Sequence, residues 1–463
     1  MRTLKEFMLK NIAFVCFLLL PFVAFCQPQD NSPYSRFGIG DIVDRNFMSS
    51  QIMGGLGASF SDPYQINIVN PASFGSLAAT SFDIGLFAEN SNLRDGITDE
   101  NPIRSPYQSL WKGNLSYISL AIPLQNKLND LLDRKKSNYT MATGFTLMPY
   151  STVGYNVKIE SFDDNIGLIK KRFEGNGGTY QFLWTNGIKV KDFSFGVNLG
   201  YLFGKLENKR RVEFEPSEPF FITELSETNR LNGFLWNAGA MYTLALNKAP
   251  EVSNSDFVPK RITFGIHGNS STGFTNTASS FAGAVLSGTE EFLIPLRDSL
   301  NSTSEDIVTS GTLPSEIGIG ATYYYGEKFA LGFNYSATSW SQLEASFVKN
   351  KLNNTSKLSF GGFYRPNYKS IGSYFERVYY RFGVFLNQVP NEIPLEADQI
   401  IRDYGISVGV GLPFFYQRKI SHANLGLTYG WLGQGTPVEE RYLRLTFSFT
   451  FNDDEWLLKR KYN

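Results

Sequence analysis

The strongest feature of this chain is a period-two alternation of apolar and polar residues that recurs from about residue 81 to the C-terminal region. In the last such segment Leu443, Leu445 and Phe447 point one way, whereas Arg444 and Thr446 point the other. This alternation is typical of strands with one apolar face. Because an arginine is costly to place in a dry core, the second face predicts a wet lumen.

Fourteen segments share this pattern, which predicts an all-β, 14-stranded antiparallel transmembrane β-barrel. The predicted strands are 81–89, 113–124, 139–158, 177–190, 193–207, 231–246, 258–268, 313–325, 329–340, 356–366, 376–388, 403–413, 420–432 and 440–452. The alternative is a secreted array of β-sandwiches, which would bury the apolar faces between sheets. The even composition along the chain, without a linker-like segment, favours the barrel.

The connections between the predicted strands alternate in length. The turns 191–192 and 326–328 are tight, as periplasmic turns are, and the longer connections are expected to be extracellular. The longer ones are 208–230, 269–312, 341–355, 389–402 and 433–439. Trp111, Trp340 and Trp431 fall at predicted outer strand ends, where an indole suits the lipid headgroup level.

The N-terminal segment, residues 1–26, reads as a cleaved signal peptide with a basic start and an apolar run too short to span a membrane. A lipid anchor on Cys26 is the alternative, although Phe25 is bulky for a lipobox. Cys16 and Cys26 both precede the predicted cleavage site, so the mature chain has no disulfide or thiol chemistry. The chain carries no net charge and has no nucleic-acid footprint. The sequence thus predicts export to the outer membrane of a Gram-negative cell, in contact with its lipid.

The chain resembles the FadL/TodX outer-membrane transport family and its PorV-type relatives in Bacteroidetes. The resemblance rests on the order of four stretches together with the predicted barrel. They are "DPYQINIVNPASFGSL" (62–77), "LMPYSTVGY" (147–155), "YSATSWSQLEA" (335–345) and "FGVFLNQVPNEIPLE" (382–396). The resemblance implies a hatch that plugs the lumen (27–80), then the barrel (81–452). A tail (453–463) follows, which is expected to be periplasmic and to be either a solvated end or a partner contact.

Two sites follow from the resemblance. The hatch of the family ends in an Asn-Pro-Ala motif, matched here by Asn70, Pro71 and Ala72, and with Asn67 these residues are implied to contribute to ligand binding and gating. Pro149 matches a kink in the third strand that opens a lateral gate in the family. An ordinary β-bulge at Pro149 is the alternative, since proline cannot donate to a strand ladder.

The stretch "NSPYSRFGIGDIVD", residues 31–44, contains a G-x-G but lacks the strand, helix and further glycines of a phosphate loop. It is instead predicted to begin the plug. Its Arg36 and Asp41 are expected to meet lumen charges such as Arg381 or Arg444.

An active site is not expected. His267, Asn269 and Ser271 alternate along one predicted strand face, which resembles the histidine-activated serine of outer-membrane phospholipases. The apolar neighbours of His267 must face lipid, however, so the histidine would point into the lumen, away from a phospholipid. The sequence also predicts no cofactor and no metal.

Two functions remain open at this stage. The first is uptake of hydrophobic small molecules through a hatch-gated lumen, as the resemblance implies. The second is a non-transporting role as a subunit or shuttle in an outer-membrane protein secretion or assembly complex, as in PorV-type relatives. The long connection 269–312, apolar in places, and the C-terminal tail favour the second function.

Overall fold

The computed structural model describes residues 32–95, 108–125, 137–164, 167–215, 221–247, 257–289, 292–295, 302–348, 351–390, 400–416, 419–436 and 438–455. The signal peptide and both cysteines lie outside these residues. The strands are β1 (Asp41–Ile42), β2 (Thr80–Asp95), β3 (Gln108–Pro123), β4 (Tyr139–Asp163), β5 (Gly167–Val190), β6 (Phe193–Glu215), β7 (Phe221–Ala245), β8 (Lys260–Asn269), β9 (Thr272–Thr289), β10 (Phe292–Pro295), β11 (Ser302–Leu313), β12 (Glu316–Tyr325), β13 (Phe329–Thr338), β14 (Thr355–Tyr364), β15 (Tyr379–Gln388), β16 (Arg402–Tyr416), β17 (Lys419–Leu432) and β18 (Val438–Asp453).

Fourteen of these strands, β2 to β8 and β12 to β18, form a closed antiparallel barrel. Each pairs with its neighbours in the chain order of the barrel, and β18 pairs with β2 along its whole length to close the wall. The prediction of a 14-stranded antiparallel barrel is therefore confirmed. Closure leaves the barrel with few free sheet edges, which is what a strand protein in lipid requires.

The two faces of the wall have the predicted chemistry. Large apolar side chains are exposed on the outer face, including Phe145, Phe182, Trp184, Phe195, Phe264, Ile319, Phe333, Phe360, Phe382, Val408, Leu427 and Leu445. Polar side chains are buried on the inner face, including Ser119, Thr146, Gln181, Thr185, Asn198, Asn237, Thr322, Asn334, Ser407, Asn424 and Thr446. The outer face is suited to lipid and the inner face to a polar filling.

The barrel has one tall side. Strands β4 to β7 contain 23 to 25 residues each, whereas β12 to β15 contain 10 each. β9 and β11 continue β8 and β12 beyond short breaks; they pair with one another, and β9 also pairs with β7. The first barrel strand begins, and the last one ends, at the opposite end, which also carries the short turns 191–192 and 326–328. We therefore assign the tall wall to the extracellular side.

The tall wall corrects two predicted loops. The connection 269–312 consists mainly of strands β9 and β11, and most of 208–230 belongs to β6 and β7. These segments lack a simple apolar and polar alternation because charged pairs link their strands above the membrane. Arg211 of β6, for example, donates to Glu224 of β7 at 2.9 Å. A strand in water needs no apolar outer face, so the alternation of apolar and polar residues ends where the strand leaves the lipid.

Residues 32–79, which are the first described residues of the chain, fill the lumen as a plug. The plug contains the two-residue strand β1, one turn of helix, α1 (Met48–Gln51), and 3-10 helices at Pro33–Arg36 and Pro71–Ser76. Among the described residues no helix is both long and apolar enough to cross a membrane. The barrel begins at Thr80, one residue earlier than expected. The function of the plug as a hatch stays a prediction.

The extracellular mouth is partly filled by an apolar cluster. Trp340, at the start of the 3-10 helix Trp340–Gln342, is only 4% exposed and packs with Phe173, Leu206, Leu231 and Phe274 of the tall wall. The expectation that Trp340 lies in a lipid-facing aromatic belt is therefore wrong. The chain after β13 folds inward over the lumen, because the apolar inner face of the tall wall offers more burial than the membrane surface does.

Trp111 is 68% exposed on β3, and Trp431 stacks on Tyr404 with ring centroids 5.5 Å apart. At the periplasmic end β18 stops at Asp453, one residue later than predicted. Lys419 of β17 forms ion pairs with Asp454 and with Glu455, the latter at 2.9 Å. Residues 456–463 of the predicted tail lie outside the described residues.

Candidate functional site

A cavity of about 1100 Å³ lies between the plug and the wall. It is bounded by plug residues 41–46, by β3 and β4, and by the inner face of β16 to β18. Charged side chains from both the plug and the wall line it: Asp41, Asp44, Arg45, Glu89, Lys112, Lys205, Glu316, Lys357, Asp403, Glu440 and Arg444. The cavity therefore has a mixed lining, because apolar and aromatic side chains such as Phe87, Leu183 and Trp236 lie between these charged groups.

The charges of the cavity are mostly paired with one another. Glu89, which is almost fully buried, accepts from Lys112 at 2.7 Å and from Arg444 at 2.5 Å. The carboxylate of Asp403 accepts from the Tyr442 hydroxyl at 2.8 Å. Pairing of this kind lowers the cost of keeping ions inside a protein. One oxygen of Glu440, Oε2, is buried without a hydrogen-bond partner in the described structure.

Two plug carboxylates in the cavity have opposite pKa shifts. Burial, reinforced by the nearby charges of Glu440 and Glu89, raises the pKa of Asp41 to about 7, although Lys112 opposes the shift. Burial also disfavours the charged form of Asp44. There, however, the attraction and hydrogen bond of Lys357 outweigh burial and hold the pKa below its usual range.

The predicted hatch residues Asn67 and Asn70 are buried and use their amides to hold backbone groups. Asn70 Nδ2 donates to the carbonyl of Ala58 in the plug at 2.6 Å and to two wall carbonyls, Ala240 at 3.3 Å and Ile266 at 3.2 Å. Its Oδ1 accepts from the N–H of Ala72 at 3.1 Å and caps the 3-10 helix that follows. Asn70 thus ties the plug to β7 and β8.

Asn67 acts within the plug. Its Nδ2 donates to the carbonyls of Gly57 and Phe60, both at 2.8 Å, and its Oδ1 accepts from Val69 N–H at 3.0 Å. Neither asparagine lines the cavity, and neither do Pro71 and Ala72. Their predicted contribution to ligand binding stays a prediction, whereas their structural role is evident from these bonds.

The plug fits the wall closely at the Asn-Pro-Ala turn. A Cβ atom at Gly239 of β7 would lie 2.0 Å from Asn70 Oδ1, so this position has no room for a side chain. Gly40 is equally constrained at the other end of the plug, where a Cβ would lie 2.5 Å from the Thr152 carbonyl oxygen and φ is +97°. The glycines next to the plug therefore allow direct backbone contact with the wall.

Pro149 lies at a break in the wall. The β4–β5 ladder shifts register between Pro149 and Ser151, which is a β-bulge at Tyr150. On the other side of β4, pairing with β3 runs only from Pro123↔Ala142 to Ile118↔Leu147. Beyond this point the described structure gives no further pairing between β3 and β4, and we call the gap between them the seam.

The plug occupies the base of the seam. β1 pairs with β4 through Asp41↔Thr152 and Ile42↔Ser151, and the Val43 N–H donates to the Tyr150 carbonyl at 3.0 Å. Pro149 also lines the cavity, so the seam and the cavity adjoin. Whether this geometry is a lateral gate stays a prediction.

The predicted lumen charges are only partly brought together. Asp41 and Arg444 both line the cavity. Arg381 is buried lower in the lumen, where it donates to Asn424 at 2.6 Å and to Gln65 of the plug at 3.3 Å. The guanidinium of Arg36 instead lies over the ring of Phe173 at 4.0 Å, in the extracellular mouth. The expected pairing of Arg36 with Arg381 or Arg444 is therefore not formed.

His267 faces the lumen, as predicted, but it forms no hydrogen bond with Asn269 or Ser271 in the described structure. It is buried with Nδ1 4.0 Å from Glu316 Oε1. Asn269 donates instead to the carbonyls of Ser270 and Pro314, and Ser271 is exposed. Within the described residues no group of three His, Cys, Asp or Glu side chains is placed to hold a metal.

The sequence reasoning missed most of the charged lining. Arg45, Glu316 and Lys357 had no motif, and their only signal was a charge at an inward position of an otherwise alternating strand or in the plug. Glu89 and Lys112 carried the same signal on β2 and β3, where they are directly opposite one another. Inward charges on neighbouring strands would have indicated charged pairs in the lumen.

The 14-stranded barrel with a plugged lumen has a FadL-like fold. The chain is similar to the crystal structure of a Pseudomonas aeruginosa FadL homologue, with 13% identity, a TM-score of 0.54 and coverage of 89% of this chain and 99% of that one. It is also similar to the Pseudomonas putida toluene transporter TodX, with 11% identity, a TM-score of 0.50 and coverage of 89% and 99%. The chain belongs to the BamG family, whose model matches residues 8–463. No curated protein matches it.

Proposed function

We propose that this protein is a plugged structural subunit of an outer-membrane protein assembly complex, rather than a channel for hydrophobic compounds. The observation that carries the proposal is the set of buried hydrogen bonds that fixes the plug to the wall. Membership of the BamG family agrees with the assembly role that the sequence left open. A PorV-like role as a secretion shuttle is a variant of the same proposal.

The charged cluster of Glu89, Lys112 and Arg444 disfavours an apolar ligand beside it. Binding of a hydrophobic molecule is driven by burial of apolar surface, at about 25 cal/mol per Å². A molecule placed against Glu89, Lys112 and Arg444 would remove water from these charges without replacing it, which costs more than burial returns. An apolar ligand therefore has little to gain in the part of the cavity beside this cluster.

The fixation of the plug supports the same proposal. Plug and wall share bonds around the lumen: Asn334 Oδ1 accepts from Ala58 N–H at 2.9 Å, and Asn198 Nδ2 donates to the Ile68 carbonyl at 2.8 Å. Ser407 Oγ donates to the Ile52 carbonyl at 2.7 Å. Opening a path through the lumen would break many buried bonds at once, each leaving unsatisfied groups.

The tall wall supplies a surface for partners. A strand rises about 3.3 Å per residue and about 10 residues span the membrane, so more than half of the 25-residue β4 lies outside it. On the opposite side of the mouth, β13 and β14 are each only 10 residues long. This asymmetric, rigid projection is suited to holding another protein at the cell surface.

The test is purification from native membranes under mild detergent, with an affinity tag on the chain. We expect the protein to migrate as a stoichiometric complex with other outer-membrane proteins, and its depletion to reduce the amounts of other barrels in the membrane. A monomer that carries a small-molecule ligand, together with normal levels of other barrels after depletion, would overturn the proposal.

A second candidate function is uptake of a small hydrophobic molecule through the seam, and the interrupted β3–β4 pairing favours it. A ligand would then leave the lumen sideways beside Pro149. This function predicts a lipid-like molecule bound to the purified protein and an uptake defect on deletion. Their joint absence would argue against it.

A further inference from the structure

One edge of the tall wall has no neighbour in the described structure. On one side β4 pairs with β5 as far as Asp163↔Gly167, but on the other side its pairing with β3 ends at Leu147. Ile159 is 47% exposed and Phe162 74% exposed. An uncovered strand edge is a ready template for another strand, and proteins seldom leave one this long unprotected.

The plug already caps the lower part of this edge at three successive positions. Tyr150 accepts from Val43 N–H at 3.0 Å, and Thr152 pairs with Asp41. At Gly154 the hydroxyl of Ser35 donates to the carbonyl at 3.1 Å and accepts from the N–H at 3.2 Å. The plug therefore behaves as a short added strand that ends at Gly154.

The backbone groups of an antiparallel strand point to alternate sides with a period of two. Since residues 150, 152 and 154 point toward the plug side, the same groups of Asn156, Lys158, Glu160 and Phe162 point into the seam. None of these four is paired there by a described residue, whereas the β5 side of β4 is bonded throughout. Four consecutive sites for strand addition thus continue the three that the plug fills.

We propose that an extended segment of a different protein adds antiparallel to β4 from Asn156 to Phe162, continuing the ladder that the plug begins. This inference rests on the proposed function, because it names the contact through which the assembly partner is held. Main-chain bonds provide the affinity in such strand addition, and alternate side chains provide the specificity.

The side chains of β4 define the chemistry of the added segment. Lys158 and Glu160 are on the outer face of the wall. Val157 and Ile159 are on the inner face, which lower down packs against the apolar cluster around Trp340. Directly opposed side chains prefer opposite charge or shared apolarity. An antiparallel segment meets Glu160 first and Lys158 last. From its N-terminus to its C-terminus, the added segment should therefore carry a basic residue opposite Glu160, an apolar residue opposite Ile159 and an acidic residue opposite Lys158.

A second copy of this chain is a poor occupant. Two copies inserted in one membrane have their β4 strands running in the same direction, whereas the pairing begun by β1 is antiparallel. A lipid cannot occupy the edge either, because it has no backbone ladder to match successive N–H and C=O groups. Both are outcomes that the experiment distinguishes.

The first measurement is amide hydrogen exchange on the native complex and on the purified chain. We expect the amides of Asn156, Lys158, Glu160 and Phe162 to exchange at least about tenfold more slowly in the complex, as for newly bonded amides. The intervening amides, which face β5, should be slow in both samples. Equal rates at the four amides in an intact complex would overturn the inference while leaving the proposed function standing. If no complex is recovered, the proposed function fails, and this inference fails with it.

The second measurement uses proline, which removes one edge donor without disturbing the β5 ladder. Lys158→Pro should leave the purified barrel folded but abolish the protection of the other three amides. Val308→Pro is the matched control at the opposite edge of the wall. The Thr312 N–H donates to Glu344 and so points away from β9, and the regular pairing from Ile307 to Leu313 places the Val308 N–H on the same side. It should leave the protection intact. Equal effects of the two variants would overturn the inference.

The occupant is identified with a photo-reactive residue in place of Phe162 in living cells. An adduct that maps to a basic-apolar-acidic stretch of another outer-membrane protein, and that disappears in Lys158→Pro, supports the inference. Adducts only with lipid, or only with a second copy of this chain, would overturn it.

Discussion

Arg45 of the plug and Glu316 of β12 form an ion pair, with Arg45 Nη2 2.5 Å from Glu316 Oε2. Both side chains are partly buried, at 18% and 22% exposure. The pair joins the plug to the wall, and His267 Nδ1 lies 4.0 Å from the other carboxylate oxygen of Glu316, Oε1. It is one of the contacts that decide whether the plug is fixed.

Separate replacement of Arg45 or Glu316 by alanine should destabilise the folded barrel by about 2 kcal/mol, because each leaves an uncompensated charge in the lumen. The double variant should cost less than the sum, with a coupling energy of about 1 kcal/mol. The free energy of unfolding in detergent is the measurement. The exposed pair Arg230 and Asp306 is the control, since its 3.5 Å contact should contribute little. Additive effects at Arg45 and Glu316 would contradict the pairing.

Asn70 should be the most sensitive residue of the Asn-Pro-Ala turn. Asn70→Ala removes three donated bonds and one accepted bond, and the carbonyls it leaves are buried, so we expect a loss of about 3 kcal/mol. Asn70→Asp should be worse, because a carboxylate would face three carbonyl oxygens. Asn92→Ala, at an exposed position of β2, should change the unfolding midpoint very little. If Asn70→Asp is tolerated, the plug is not held as described.

Trp340→Ala should disrupt the extracellular mouth. Truncation of a buried tryptophan typically costs about 3–5 kcal/mol, and Trp340 packs against the apolar inner face of the tall wall. Trp111→Ala is the matched control, because Trp111 projects from the outer face. Protease sensitivity of residues 339–348 and the unfolding midpoint are the readouts. Equal losses for the two variants would show that Trp340 is not a core residue.

The two tryptophans show where sequence reasoning reaches its limit. Alternation with a period of two is local, so the membrane-spanning strands were predictable from neighbours such as Leu443 and Arg444. The burial of Trp340 depends on Phe173 and Phe274, which are distant in sequence. Nothing near Trp340 distinguishes an inward fold from a position at the membrane surface.

The candidate site shows the same division. The Asn-Pro pair predicted a turn at Asn70, but its acceptors lie at Ala58, Ala240 and Ile266, which only the closed barrel brings together. A lumen position for Asp41 was also predictable, whereas the identity of its charged neighbours required the register of β18, β2 and β3. The register between distant strands is set when the barrel closes, and no local sequence pattern predicts it.

Asp41 and Asp44 provide a test of the cavity through the pH dependence of stability. The pKa of Asp41 is about 7 in the folded chain, above its usual 3.8, so the folded state binds a proton more tightly than the unfolded state. The stability contributed by this proton is complete below about pH 4 and is lost as the pH rises to about 7. Asp41→Asn cannot ionise and should escape that loss.

The Asp41→Asn variant should be as stable as the parent chain at pH 4 and should become increasingly more stable than the parent as the pH rises to 8. The gain should reach about 2 kcal/mol, less than the full value of about 1.4 kcal/mol per pKa unit because water in the cavity screens the charge. Asp44→Asn is the opposite control. Lys357 lowers the pKa of Asp44, so this variant should lose stability at neutral pH and recover as the pH falls. Unfolding midpoints in detergent between pH 4 and 8 measure both. Parallel curves for Asp41→Asn and the parent chain would show that Asp41 titrates as an ordinary carboxylate, which would place it in open water rather than between the plug and the wall.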